Sequence, residues 1–210
     1  MGKITALKED KVGRRIKVFV DGFLLFVADK KVITKAGLQL GQSLSVDQIE
    51  ELKREFLFQN CLDAALHYLS YRPRSEAEIR QRLHKRAFDE DIVDTIIDIL
   101  KERGLVNDVA FAEFWKDNRL SFSPRSRKLV QLELRQKGVS AEMADEVTSE
   151  LDDETSAYKA GLRKMRSLTS MDYDGFRLHL FGYLRRRGFS YEVAGRVIKR
   201  LWLDRQASVT

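Results

Sequence analysis

The sequence predicts a mainly α-helical protein: an elongated array of three tandem three-helix repeats, preceded by a small extension made of a β-hairpin and a helix. Only two of the 210 residues are proline and 33% are charged, which favours long, solvated helices because proline interrupts helical hydrogen bonding. Alternation of apolar and polar residues, typical of a half-buried strand, is confined to the first sixty residues. After them, a pattern of helical spacing recurs roughly every fifty residues.

The first predicted element is the β-hairpin. Residues 16–20 alternate apolar and polar side chains, and residues 23–27 form a second apolar run. Between them lies Asp21-Gly22, a dipeptide favoured in tight type I′ turns because both central residues of that turn need a positive φ. The two runs are therefore expected to pair as neighbouring antiparallel strands.

Helical signals complete the extension. Residues 30–37 predict a short helix, and residues 40–42 predict a turn. Ser45 is a favoured N-cap, and Gln48 completes a capping box for a helix over about 46–60. Since the segment is small for an independent fold, we expect it to pack on the helices that follow it.

The repeat is carried by three similar signatures, at residues 85–88, 136–139 and 186–189, which are 51 and 50 residues apart. When the three are aligned, apolar residues coincide at spacings of three and four, as in an amphipathic helix. A residue typical of N-caps follows each signature, and Pro-Arg-Ser occurs at both 73–75 and 124–126. The coinciding residues are Ile79, Val130 and Leu180; Leu83, Leu134 and Leu184; Asp89, Ser140 and Ser190; Ile92, Met143 and Val193; Ile96, Val147 and Val197; and Leu100, Leu151 and Leu201.

Each repeat is interpreted as helix, loop, helix, tight turn, helix. Gly138 and Gly188 stand where a helix ends in a left-handed residue, whereas Ala87 takes that place in the first repeat and predicts a strained turn. Ser75 and Glu78 predict a capping box at the second helix of the first repeat. The helices of that repeat are expected at about 62–71, 75–86 and 90–103, and the extension and three repeats at 1–60, 61–108, 109–154 and 155–210.

Charge is distributed unevenly along the chain. The last predicted repeat carries 12 basic and 4 acidic residues, a net charge of +8, whereas the first and second carry −2 and −3. Basic residues recur around the second helix of each repeat, which predicts a basic edge able to contact phosphates. Acidic residues in the third helices of the first two repeats predict an edge able to meet a basic protein surface. The predicted basic edge consists of Arg72, Arg74, Arg80, Arg82, Arg119, Arg125, Arg127, Lys128, Arg135, Lys137, Arg185, Arg186, Arg187, Arg196, Lys199 and Arg200.

The alternative for this edge is a set of solvated helix faces held by salt bridges, and for any single residue that alternative is favoured. Because basic residues recur at a fixed place in each repeat, a functional role is favoured for the group as a whole. The aromatic residues Phe111, Phe114 and Trp115 are interpreted as core rather than as platforms for stacking bases.

No pattern predicts catalysis, a metal or a cofactor. Cys61 is the only cysteine, which excludes an intrachain disulfide and cysteine-rich zinc modules and favours a reducing cytosol. The histidines at 67, 84 and 179 lack metal-ligand spacing, and the glycines form no phosphate-binding loop. The chain shows neither a signal-peptide core nor a run of 18 apolar residues, so a cytoplasmic protein without a membrane span is expected.

Four stretches together resemble the RecX regulatory proteins over about residues 62–203. They are Arg72-Pro73-Arg74-Ser75-Glu76-Ala77-Glu78-Ile79-Arg80 with Arg82-Leu83; Gly104-Leu105-Val106-Asn107-Asp108 with Phe111-Ala112, Trp115 and Arg119; Leu132-Glu133-Leu134-Arg135-Gln136-Lys137-Gly138-Val139; and Phe181 to Phe189. Each motif alone is weak, whereas the four in this order are specific. The chain departs from the family pattern at Ala87, usually glycine, and Asn107, more often aspartate, which leaves their local roles open.

The resemblance implies a non-catalytic regulator of RecA, without cofactors, acting in DNA repair, DNA recombination and the SOS response. Proteins of this family bind the RecA filament on single-stranded DNA, lie in its helical groove and contact successive protomers. They suppress ATP hydrolysis, strand exchange and co-protease activity. A monomer is the expected state.

Two other functions remain open at this point. The basic third repeat is also compatible with an autonomous DNA-binding helical-repeat protein, although no helix can be singled out for the major groove. A nuclease would need acidic residues from separate elements to converge on a metal, and the sequence alone does not decide that.

Overall fold

A computed structural model of the chain describes residues 1–10 and 13–207. The fold is mostly helical, at 62%, with an N-terminal β-hairpin region and ten helices among the described residues. The strands are β1 (Gly2–Glu9), β2 (Arg15–Val20), β3 (Phe23–Asp29) and β4 (Ser43–Leu44). The helices are α1 (Lys30–Lys35), α2 (Val46–Leu69), α3 (Glu76–His84), α4 (Glu90–Glu102), α5 (Asp108–Phe122), α6 (Arg127–Gln136), α7 (Ala141–Val147), α8 (Asp153–Met165), α9 (Tyr173–Arg186) and α10 (Tyr191–Ala207).

The chain divides into two compact units. The first contains Met1–Arg72 and Ile79–Leu105, and the second contains Pro73–Glu78 and the described chain from Val106 onward. The sheet and most of α2 to α4 therefore belong to the first unit, and α5 to α10 belong to the second. The segment at Pro73–Glu78, which includes the first turn of α3, is grouped with the second unit. The four-segment division derived from the sequence stays a prediction.

The predicted hairpin is confirmed within a larger sheet. β2 and β3 pair antiparallel, and the turn residues Asp21 and Gly22 have φ values of +49° and +86°, as a type I′ turn requires. The sheet has the order β3-β2-β1-β4, so two strands were missed. β1 pairs with residues far along the chain, and β4 is only two residues long, so neither has a strong local pattern.

The helix α2 covers one face of this sheet and corrects the expectation of two helices. It runs without a break over Val46–Leu69, where separate helices at about 46–60 and 62–71 were predicted. No proline or glycine lies within it, and its buried side extends from Phe56 to Ala65, so nothing ends the helix near residue 60. The rings of Phe26 and Phe56 stack 4.0 Å apart. The predicted capping box of Ser45 and Gln48 is confirmed.

The first two apolar positions of the predicted alignment are buried in all three repeats. Ile79, Val130 and Leu180 are at most 1% exposed. The equivalent leucines four residues later are also fully buried. The prediction that Phe111 is core is confirmed, since it is buried with Val130 in the core formed by α5 to α7.

The tight turns before the third helix of each repeat are left-handed, as predicted. Gly138 and Gly188 have φ values of +85° and +86°, and Ala87 has +58°. A non-glycine residue in this region is strained by about 1 kcal/mol because its Cβ approaches the following carbonyl. At the two glycines a Cβ would also collide with neighbours, with Ala77 at Gly138 and with Ser126 at Gly188, whereas Ala87 is exposed to solvent.

Candidate functional site

The predicted basic residues separate into an internal group and an exposed group. Four residues in the second unit are at least half-buried and make specific contacts: Arg119, Arg125, Lys137 and Arg187. Arg72, Arg74, Arg80 and Arg127 are also half-buried, and the other eight predicted residues are exposed. This division decides which of the predicted residues are available to a partner molecule.

A buried carboxylate organises the first two internal residues. Glu133, on α6, is only 8% exposed. Its carboxylate accepts hydrogen bonds from Arg119 Nε at 2.6 Å, from Trp115 Nε1 at 2.8 Å and from Arg125. The Arg119 guanidinium also lies 4.3 Å from the centre of the Trp115 ring. A carboxylate with this little solvent is stable only when paired, so the two arginines first of all stabilise the second repeat.

The sequence carries a signal for this cluster. Glu133 lies between Val130 and Leu134 on the apolar face of α6. A carboxylate on a buried helix face requires cationic or hydrogen-bonding partners. The arginines of α5 and of the loop before α6 could therefore have been assigned to the interior.

Lys137 and Arg187 occupy equivalent places, each directly before the glycine of a tight turn. The ammonium of Lys137 lies 2.7 Å from Glu78 and 4.2 Å from the Trp115 ring centre. The guanidinium of Arg187 donates to Ser123 Oγ and to the Pro124 carbonyl, both at 3.0 Å. Both side chains are held by neighbouring segments of the second unit.

The two Pro-Arg-Ser segments explain why these turns carry glycine. Ser75 Oγ donates to the Lys137 carbonyl at 2.5 Å, and the Ser126 amide donates to the Arg187 carbonyl at 3.0 Å. In both cases the amide of the next residue binds an aspartate, Asp108 at 2.9 Å for the first segment and Asp153 at 2.7 Å for the second. The motif is thus a packing device that holds a serine against a glycine turn.

Several of the other cations are bonded within their own repeat. Arg80 bonds to Asp94 at 2.5 Å, and Arg135 bonds to Asp145 at 3.2 Å. Arg196 binds Glu154 at 3.0 Å, a hydrogen bond that raises the pKa of the guanidinium further and fixes α10 to α8. The Arg127 side chain donates to the Ser149 carbonyl at 3.3 Å. Arg72 and Arg74 are half-buried.

The remaining cations form the accessible part of the predicted edge. They are exposed and, among residues 1–10 and 13–207, make no ion pair with an acidic side chain. Arg185 lies 4.0 Å from the Tyr191 ring centre, and Arg200 lies 4.4 Å from that of Tyr158. This set consists of Arg82, Lys128, Arg185, Arg186, Lys199 and Arg200; most of its members lie on α9 and α10.

Among residues 1–10 and 13–207, no group of three histidine, cysteine, aspartate or glutamate side chains is arranged to hold a metal ion. Burial raises the pKa of the Cys61 thiol to about 11, which keeps it protonated and unreactive at neutral pH. None of the helices formed by these residues combines the length and apolar character needed to cross a bilayer.

Comparison with known proteins gives consistent matches. The family described as "RecX, first three-helix domain" matches residues 61–100, and "RecX, second three-helix domain" matches residues 107–147. A protein of Clostridium perfringens named "Regulatory protein RecX" is 31% identical over 207 residues, covering 96% of this chain and 97% of the relative. One of Lactobacillus gasseri with the same name is 29% identical and covers 96% of this chain and 76% of the relative.

Solved structures share the fold. A crystal structure of regulatory protein RecX superposes with a TM-score of 0.58 at 23% identity, covering 94% of this chain and 98% of that one. RecX from Lactobacillus salivarius superposes with a TM-score of 0.57 at 25% identity, covering 70% of this chain and 97% of its own.

Proposed function

Because the chain belongs to the RecX family of regulatory proteins, we propose that it binds the RecA filament on single-stranded DNA and inhibits the recombinase, ATPase and co-protease activities of RecA. The observation that carries this proposal is the 31% identity to a regulatory protein RecX over nearly the whole of both chains. The protein would act in the cytoplasm, in DNA repair, recombination and the SOS response.

The exposed cations of the third repeat support an anionic binding surface. Arg185, Arg186 and Arg200 are exposed, and among the described residues none is neutralised by an ion pair. Guanidinium groups bind phosphates and carboxylates with paired hydrogen bonds. Such a surface suits the DNA backbone or acidic patches of the filament.

Repetition supports a polymeric partner. Three similar groups of helices present several weak contacts on one chain, and linked contacts gain strength from high effective concentration. A filament offers the same surface at regular intervals, so successive contacts become intramolecular. Binding that depends on exposed charges should weaken as salt rises.

The test is the ATPase activity of RecA on single-stranded DNA with increasing amounts of the full chain. We expect phosphate release to fall at amounts stoichiometric with RecA. Unchanged phosphate release at a stoichiometric ratio would reject the proposal. The assay uses the full chain because removal of residues 1–58 would cut α2 within its buried face.

The basic surface is tested by Arg185→Glu with Arg186→Glu. We expect half-inhibition to require at least about tenfold more protein, since two favourable charges become repulsive. Arg187 stays unchanged because its side chain holds Ser123 and Pro124. The matched control is Lys159→Glu with Arg166→Glu, which makes the same charge change at exposed positions outside the predicted edge. If both double variants inhibit equally, Arg185 and Arg186 are not part of the contact surface.

Autonomous DNA binding is the second candidate, favoured by the net charge of +8 in residues 155–210. Fluorescence anisotropy of labelled single-stranded and duplex DNA without RecA separates the two. Tight binding to naked DNA with no effect on RecA would replace the first proposal by the second.

A further inference from the structure

The third repeat carries an open apolar groove between α9 and α10. Leu178 and Phe181 of α9 and Ile198 of α10 line it, around a cavity of about 460 Å³. Leu178 is 73% exposed. Contact between water and this much apolar surface is unfavourable. Filling the groove with an apolar group therefore lowers the free energy.

In each of the first two repeats an ion pair bridges the second and third helices. Asp94 and Asp145 occupy equivalent positions on the third helices, and each pairs across to the second helix, with Arg80 at 2.5 Å and with Arg135 at 3.2 Å. The third repeat has Gly195 at this position, and a Cβ there would meet no atom within 4 Å. The third repeat therefore lacks the carboxylate that bridges the two helices in the other repeats.

Side chains lining the groove change in the same direction. The second repeat has Lys128 and Gln131 along its groove, and the equivalent positions of the third repeat are Leu178 and Phe181. The third groove therefore lacks both the bridging acid and these two polar side chains. The two changes together produce an apolar binding surface.

The rim of the groove is basic. Arg177 and Lys199 line it beside a single acid, Asp174, and within the described chain neither cation has an ion-pair partner. The surrounding segment 155–210 carries a net charge of +8. A ligand that fills this groove must therefore combine large apolar side chains with negative charge.

We propose that this groove is a docking site for an acidic amphipathic segment of a partner protein. One or two leucine or phenylalanine side chains of the segment fill the space over Leu178 and Ile198, and its carboxylates face Arg177 and Lys199. A helix with apolar residues one turn apart has the geometry that such grooves accept. Nucleic acid fits less well because Leu178 and Ile198, over which the apolar groups lie, offer no hydrogen bond to bases or phosphates.

The probe is a fluorescein-labelled synthetic helical peptide with two leucines one turn apart and glutamate at its other exposed positions. Fluorescence anisotropy with the full chain is expected to show saturable binding. Leu178→Ser should weaken it at least about tenfold, as loss of an apolar contact of this size predicts. Gly195→Asp should weaken it comparably, because it restores the carboxylate of the other two repeats at a position with room for it.

The matched control is Leu203→Ser, which removes an exposed leucine of α10 that does not line the groove. It should bind like the parent, and circular dichroism should show the same helix content for all three variants. The assay contains neither RecA nor DNA, so its result is separate from that of the filament test.

Three results would overturn the proposal. The first is no saturation by the glutamate peptide at about millimolar protein, which corresponds to negligible affinity. The second is equal binding of a peptide with lysine in place of glutamate. The third is displacement of the glutamate peptide by a thymidine oligonucleotide whose own binding weakens in Leu178→Ser, which would assign the groove to nucleic acid.

Discussion

The second and third repeats are each built from three equivalent helices, but their charged residues are placed differently. In the second repeat, Glu133 lies inside α6 and takes Arg119 and Arg125 as partners. The equivalent residue of the third repeat is Tyr183, whose ring accepts the Arg187 guanidinium at 4.5 Å without drawing further cations inward. The two repeats carry net charges of −3 and +8.

The difference shows that the residue at one buried position determines whether nearby arginines lie inside the repeat or at its surface. A carboxylate in the interior must be neutralised, so nearby arginines serve the fold. A tyrosine needs no counter-charge, so arginines such as Arg185 and Arg186 remain exposed at the surface. The repeats therefore divide the work: the second supplies stability and the third supplies accessible charge.

The largest expected effect comes from removing the negative charge of Glu133, which pairs with Arg119 and Arg125. Glu133→Gln keeps the shape and an acceptor for Trp115 but leaves Arg119 and Arg125 without a counter-charge. We expect a loss of about 3 kcal/mol, near the lower end for broken buried ion pairs, since the two arginine side chains are 20% and 33% exposed. Urea unfolding followed by tryptophan fluorescence measures it, because both tryptophans lie in the second unit.

Two controls test whether the effect belongs to the buried position. Glu146→Gln changes an exposed carboxylate of the same repeat and should leave the urea midpoint unchanged. Tyr183→Phe keeps the ring beside Arg187 and should cost well under 1 kcal/mol. Equal losses in Glu133→Gln and Glu146→Gln would break the comparison between the repeats.

Local signals in the sequence were sufficient for much of the fold. The Asp21-Gly22 turn, the Ser45 capping box and the left-handed turns at Gly138 and Gly188 follow from chemistry within a few residues, and all are found in the structure. The buried faces of the repeats also follow from a local period. These features depend on propensities that do not change with distant contacts.

Features that depend on distant partners were not predicted. β1 becomes a strand because it pairs with β2 and β4, and α2 continues past residue 60 because its buried face meets the sheet and then α4. The internal roles of Arg125 and Lys137 depend on Glu133 and Glu78, which spacing alone did not connect to them. The basic edge was defined by recurrence, which does not distinguish a buried cation from an exposed one.

A smaller effect is expected from the glycine turns, which the second and third repeats share. Gly188→Ala adds a Cβ in a left-handed conformation and against Ser126 and Leu129. We expect a loss of about 2 kcal/mol, and a similar loss for Gly138→Ala, where Ala77 is the obstacle. Tryptophan-monitored urea unfolding applies to both. Similar losses in the free energy of unfolding would show that the two turns behave alike despite the opposite charges of their repeats. A much smaller loss for Gly188→Ala would show that the two turns differ.

The smallest effect concerns the turn of the first repeat, where no neighbour requires glycine. Ala87 is exposed with φ at +58°, so Ala87→Gly relieves strain without opening a cavity. The greater freedom of glycine in the unfolded chain offsets part of that gain, and we expect a net stabilisation of about 0.5 kcal/mol. Since the first unit contains no tryptophan, the measurement is amide hydrogen exchange in α4, where protection should rise about twofold. Slower exchange confined to α4 would show that the strain at this turn is local. Faster exchange would show that the methyl group of Ala87 stabilises the turn, unlike the glycines of the other two repeats.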